Sequence, residues 1–153
     1  MQTQENAEPI PSLEISRHFE APPERVFDAW LGTEWGEWLP PAGAVCKVTS
    51  MKPRAGGRYL LNMAMPDGRT IAISGEYREV VRPKRLVFTW LGNYNNQETL
   101  ITVTFRPNGG GTLMNLRQDG FPTTELRDGY NSGWTGKNGS FDKLDAYLAK
   151  GPR

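Results

Sequence analysis

The sequence predicts an α+β fold in which a curved antiparallel sheet of about seven strands wraps a long C-terminal helix, with two short helices after the first strand. Two observations carry this. Between Leu13 and Asp119, apolar and polar residues alternate in one segment after another with turn residues between them, the period of strands with one buried face. After Gly120-Phe121-Pro122 the period changes. Trp134, Phe141, Leu144, Tyr147 and Leu148 recur at spacings of three, four and seven, the stripe of an amphipathic helix.

Residues 1–11 are polar, carry two prolines and show no period, so a disordered tail is expected there, followed by one domain over 12–150. Leu13, Ile15 and Phe19 mark a first strand; His18 falls on its wet side as a surface residue with no acid–base partner suggested beside it. Pro22-Pro23-Glu24 opens a short helix, because proline is tolerated and an acid favoured in the first turn. Trp35 to Leu39 makes a second, stopped at Pro40-Pro41. Trp35 and Trp38 either pin these helices to the sheet or form a lid over a pocket.

Six strands follow: Val45–Met51, Arg58–Met65, Thr70–Val81, Arg85–Leu91, Gln97–Phe105 and Thr112–Asp119. Pro53-Arg54-Ala55-Gly56-Gly57, Pro66-Asp67-Gly68, Arg82-Pro83-Lys84 and Pro107-Asn108-Gly109-Gly110-Gly111 turn the chain between them. Thr123 and Glu125 suit a capped, dipole-matched helix start, although Leu126 leaves no capping box. Gly129, Gly133, Gly136 and Gly139 each cost a helix interior about 1 kcal/mol relative to alanine, so a kink, or a fresh start near Ser140, is expected.

A chain of 153 residues fits one domain and is long enough to bury a core. With 18 basic and 17 acidic residues its net charge is +1, which gives no global pull toward nucleic acid or anionic membrane. No apolar run approaches the ~18 residues of a membrane span and no signal-peptide core is visible. The single Cys46 suits a reducing compartment, and a buried, inert thiol is expected. The expected location is cytoplasmic.

Period two collects bulky residues on one sheet face, among them Tyr59, Met63, Met65, Tyr77, Phe88, Trp90 and Met114, with Gln118 in phase. One helix is narrow cover for so much bulk. A curved sheet would leave an open trough; the alternative is a packed core that contains methionine.

Several segments are similar to a known family: Phe19-Glu20-Ala21-Pro22-Pro23-Glu24-Arg25-Val26-Phe27-Asp28-Ala29-Trp30, Pro53-Arg54-Ala55-Gly56-Gly57-Arg58-Tyr59, Gly75-Glu76-Tyr77, Pro83-Lys84-Arg85-Leu86-Val87-Phe88-Thr89-Trp90, Thr102-Val103-Thr104-Phe105, and Gly120-Phe121-Pro122 with Gly133-Trp134. Over residues 13–149 the chain resembles the family homologous to the activator of the ninety-kilodalton heat-shock chaperone ATPase. That family lies in the START-like, helix-grip superfamily with polyketide cyclases and birch-pollen-type allergens. The resemblance implies the same sheet-around-helix fold with an internal cavity. It departs from the family where members often carry histidine, at Tyr130 and Gln118, and in three extra residues at Lys137-Asn138-Gly139. The tryptophan pair usual before the Gly-Pro turn is reduced to Trp38-Leu39 ahead of Pro40-Pro41. Three residues turn a helix by about 300°, leaving a 60° mismatch.

Catalytic signatures are not found. There is no phosphate-binding loop, one histidine and one cysteine do not make an ordinary zinc site, and Glu76 and Glu79 are expected on opposite strand faces. Asp119, Glu125 and Asp128 lie near the helix start, where solvated surface charge is expected. The resulting expectation is a binding protein with no catalytic residue, metal or cofactor. A small hydrophobic molecule would touch Trp38, Tyr59, Met63, Met65, Tyr77, Phe88, Trp90, Met114 and Trp134, with Gln118 and Tyr130 orienting its polar part. The alternatives are a cyclase- or hydrolase-like enzyme on the same scaffold, or a co-chaperone with a chaperone partner. Neither nucleic acid nor a membrane span is expected.

Overall fold

The computed structural model describes residues 11–41, 43–93 and 96–150; most of the expected N-terminal tail, residues 1–10, lies outside them. The elements run β1 (Ser12–Phe19), α1 (Pro23–Asp28), α2 (Glu34–Trp38), β2 (Val45–Met51), β3 (Arg58–Ala64), β4 (Thr70–Val81), β5 (Arg85–Gly92), β6 (Glu98–Asn108), β7 (Gly111–Asp119), α3 (Thr124–Thr135) and α4 (Ser140–Ala149). Seven strands form one antiparallel sheet in the order β1-β7-β6-β5-β4-β3-β2, so β2 through β7 make a meander and β1 joins at the β7 edge. The helices cover one face, as an α+β helix-grip fold requires.

Sequence alternation becomes burial directly. In β6, Thr99, Ile101, Val103 and Phe105 are buried while the residues between them are not, and β7 repeats this with Met114, Leu116 and Gln118. Two one-residue irregularities interrupt the ladders, between Val48 and Ser50 in β2 and between Tyr77 and Glu79 in β4. An extra residue bends its strand and raises the local twist, which helps the sheet curl.

The β4 bulge also corrects an expectation. Glu76 faces Arg58 across the ladder and Glu79 faces Val87, both on the side away from Tyr59 and Phe88. The inserted residue shifts the parity, so the two carboxylates share the outer face. Separate arginines hold them: Arg78 lies 3.1 Å from Glu76, and Arg85 lies 3.1 Å from Glu79.

The C-terminal segment is two helices. Thr123 caps α3 by accepting the Leu126 N–H at 3.1 Å. Thr123→Ala should therefore lower stability by about 1 kcal/mol, read as a shifted denaturation midpoint with unchanged slope. The chain leaves helical geometry at Gly136, passes through Asn138 at φ 61° and restarts with Gly139 as the N-cap of α4. The turn is tight: a Cβ on Gly139 would lie 2.7 Å from the Gly133 carbonyl oxygen. The break falls at Lys137-Asn138-Gly139, where the sequence predicts a kink or a fresh start.

Asp142 secures the restart. Its carboxylate accepts the Asn138 N–H at 2.9 Å and pairs with Arg17 of β1 at 2.9 Å. Those two contacts, the N–H first, hold its pKa below the usual carboxylate range. A lowered folded pKa contributes stability that is complete above the unfolded value, about 4, and is lost as pH falls through the folded value. Asp142→Asn should accordingly flatten the acid limb of the stability–pH profile below about pH 4.

Candidate functional site

Helix α4 packs beside α2 and α3 on the covered face of the sheet. Phe141, Leu144, Tyr147 and Leu148 are buried, Ser140 Oγ donates to the Leu39 carbonyl at 2.7 Å, and Lys143 Nζ donates to the Pro40 carbonyl. Arg25 of α1 reaches Glu34 at 2.8 Å, and Tyr147 Oη donates to the same carboxylate oxygen at 2.6 Å, joining α1, α2 and α4.

The turn after α1 and helix α2 deliver three indoles into the core. Trp30, Trp35 and Trp38 are each at most 1% exposed. Trp30 meets Trp38 edge-on at 4.9 Å between ring centroids, and Trp35 meets Tyr59 at 5.2 Å and Phe88 at 5.6 Å. Of the two roles open to Trp35 and Trp38, the structure shows packing.

Under α3 the cover is incomplete. There a hollow of about 320 Å³ lies between α3, the β3–β4 hairpin and the chain after α2. Its apolar wall includes Met63, Met65, Ile71, Ile73, Trp90 and Trp134. Along α3, Leu126, Gly129, Tyr130 and Gly133 fall at i, i+3, i+4 and i+7, a single stripe that faces the space. At Gly129 and Gly133 an added Cβ would meet no atom within 4 Å. The exposed Pro41, Glu125, Gly129 and Gly133 mark the rim.

Of the eleven residues singled out from sequence, Met63, Met65, Trp90, Tyr130 and Trp134 line this hollow. The other six lie behind it. Trp38 is fully buried and donates to the Ala29 carbonyl at 2.9 Å. Tyr59 donates to the Thr89 carbonyl at 2.6 Å, and Tyr77 and Phe88 pack against its ring at 5.6 and 5.9 Å. Met114 is buried opposite Phe105 in the β6–β7 ladder. Gln118 is buried and reaches the hollow only through another residue: its carbonyl accepts from Trp134 Nε1 at 3.0 Å while its amide donates to Thr99 at 2.9 Å. These corrections share one cause. Trp30, Trp35 and Trp38 fill the middle of the trough, and the hollow lies toward the β3–β4 end.

Glu125 was placed among solvated surface charges; it is exposed, but it also lines the rim. Asp119 and Asp128 instead pair with Arg117 and Arg127, each at 3.0 Å. Ile71 and Ile73 alternate in β4 and Gly129 and Gly133 interrupt the helical pattern, and the sequence alone assigns none of the four to a site. Two glycines four apart on an otherwise amphipathic helix were the signal.

Among ionisable groups, burial raises the pKa values of Tyr59 and Tyr77, and both lie behind the lining. Burial also pushes the half-buried Cys46 thiol up to about 11, with Lys143 pulling the other way, so it stays protonated at neutral pH. His18 has the partner that was not expected: Nε2 lies 2.6 Å from Glu20, and Asn108 approaches Nδ1 at 3.1 Å. Residues two apart on a strand share a face, which puts Glu20 beside it. Among the described residues no group of three or more His, Cys, Asp or Glu is placed to hold a metal ion, and no helix is long and apolar enough to cross a membrane.

Residues 20–149 match the family model described as Activator of Hsp90 ATPase homolog 1-like protein. Protein CV1439 from Chromobacterium violaceum superposes with a TM-score of 0.82 at 30% identity, covering 90% of this chain and 96% of its own. A protein from Rhodobacter sphaeroides is 28% identical over 93% of this chain and 95% of that one, with a TM-score of 0.76. The AHSA1 protein SPO3351 from Silicibacter pomeroyi is 25% identical over 92% and 99%, with a TM-score of 0.78. No curated protein sequence matches the chain. With the family model spanning nearly the whole chain and the helix-grip topology in place, this protein belongs to the Activator of Hsp90 ATPase homolog 1-like family.

Proposed function

We propose that this protein binds a small, mostly hydrophobic molecule in the hollow under α3. One observation carries the reading: the wall is thioether, isoleucine and indole, and the helix above it presents bare backbone at Gly129 and Gly133. Glycine at two helix-interior positions costs about 2 kcal/mol relative to alanine, a penalty that keeps the space open. A volume of about 320 Å³ is at the lower end of small-molecule sites. Met63 of β3 and Met65 just beyond its end give that wall an adaptable surface.

Trp90 and Trp134 line the space, so occupancy should change their emission. Titration with an apolar fluorescence probe should give a saturable change in tryptophan emission, with matching backbone NMR shifts at Met63, Ile71 and Gly133. Linear, non-saturating quenching with shifts scattered over the surface would overturn the reading.

A further inference from the structure

We propose that the hollow discriminates by head group, taking an apolar molecule that ends in a hydrogen-bond donor, best a primary amine, and rejecting carboxylates. This rests on the ligand-binding reading above and adds the chemical class. The two indole N–H groups and the Ser140 hydroxyl at the wall already have protein acceptors. Trp90 Nε1 donates to Tyr130 Oη at 3.1 Å, Trp134 Nε1 to Gln118 at 3.0 Å, and Ser140 Oγ to the Leu39 carbonyl at 2.7 Å. Gln118 is in turn occupied on its amide side by Thr99.

Among the described residues, the charged group on the rim is Glu125, which accepts a long 3.4 Å approach from Thr124 Oγ1. It sits in the first turn of α3. No Lys, Arg or His belongs to the described lining. Lys143, on the neighbouring α4, holds its ammonium on the Pro40 carbonyl, and Arg127 pairs with Asp128.

A ligand carboxylate entering here would leave water for a wall whose indole and Ser140 donors are committed, and would approach a like charge. An alkylammonium reverses both terms. It brings three donors to an acceptor-only carboxylate, beside the rings of Tyr130 and Trp90, which attract cations. Because Glu125 is exposed, water screens the attraction, so the amine's advantage should be several-fold and should shrink with added salt. The penalty on the carboxylate should be larger.

The test uses octylamine, octanol and octanoate at neutral pH, with affinities from tryptophan emission and calorimetry at low and high salt. Octylamine should bind several-fold tighter than octanol, and octanoate at least tenfold weaker than octanol. Glu125→Gln should bring the amine-to-alcohol ratio toward unity, and Glu125→Lys should raise octanoate relative to octylamine. If octanol itself does not bind, the ligand-binding reading fails. If octanol binds but octanoate equals or exceeds octylamine, or the ratio is unchanged in both variants, the head-group assignment is overturned while the hollow stands.

Discussion

Gly133→Leu should make the protein more stable and bind apolar probes at least tenfold more weakly. Position 133 lies inside α3, where replacing glycine by a good helix former gains about 1 kcal/mol, and the Cβ meets nothing within 4 Å. For a chain of this length that corresponds to a rise of about 3 °C in melting temperature. The isobutyl group grows from the stripe that faces the hollow, so it takes the volume or the entrance that a ligand needs. A tenfold loss corresponds to about 1.4 kcal/mol, which exclusion from a site of this size readily exceeds. Gly133→Ala separates the two effects, since it gains the helix term while adding one methyl. Thermal denaturation and probe titration on the same samples decide the matter. A stabilised Gly133→Leu variant that binds normally would place any ligand elsewhere.

The contrast between wall and core explains which parts of the site the sequence could reveal. Alternation assigns a residue to a sheet face from its own neighbours, so Met63, Trp90 and Met114 were all correctly on the inner face. What covers that face depends on segments distant in sequence. Trp30 comes from the turn after α1 and Trp35 and Trp38 from α2, and the packing of Trp30 on Phe88 and of Trp35 on Tyr59 and Phe88 is a tertiary event that no local period encodes. Sequence therefore named one connected patch, and folding divided it into a packed middle and an open end. The cap at Thr123 was legible because capping is local. The bulge after Tyr77 was not, because it is defined only against the partner strand, and it reversed the relation between Glu76 and Glu79. The glycines of α3 were visible as anomalies; that two of them serve as wall became clear only with their neighbours in place.

Gly75→Ala, one methyl on another glycine, should have the opposite outcome and cost several kcal/mol. Gly75 is in the middle of β4, where a Cβ would sit 1.9 Å from the Thr89 carbonyl oxygen, 2.6 Å from Tyr59 Cε2 and 2.7 Å from Tyr59 Oη. Neither neighbour can yield at small cost. Thr89 belongs to the adjacent β5 backbone, and Tyr59 is 1% exposed with its ring against Trp35, Tyr77 and Phe88. Burial holds the Tyr59 hydroxyl protonated, and it donates to that same Thr89 oxygen at 2.6 Å. Forcing the methyl in combines overpacking, about 1–3 kcal/mol, with loss of a buried hydrogen bond, about 1–3 kcal/mol. A total of about 3–5 kcal/mol would be a large share of the stability of an ordinary domain. Tyr59→Phe in the Gly75→Ala background removes the hydroxyl but not the backbone clash, so the double variant should recover only part of the loss and the two changes should be non-additive. Urea denaturation of the four proteins measures both terms. A cost below about 1 kcal/mol for Gly75→Ala alone would show that the β4–β5 ladder can part to admit a methyl, contrary to the close-packed core described for Tyr59.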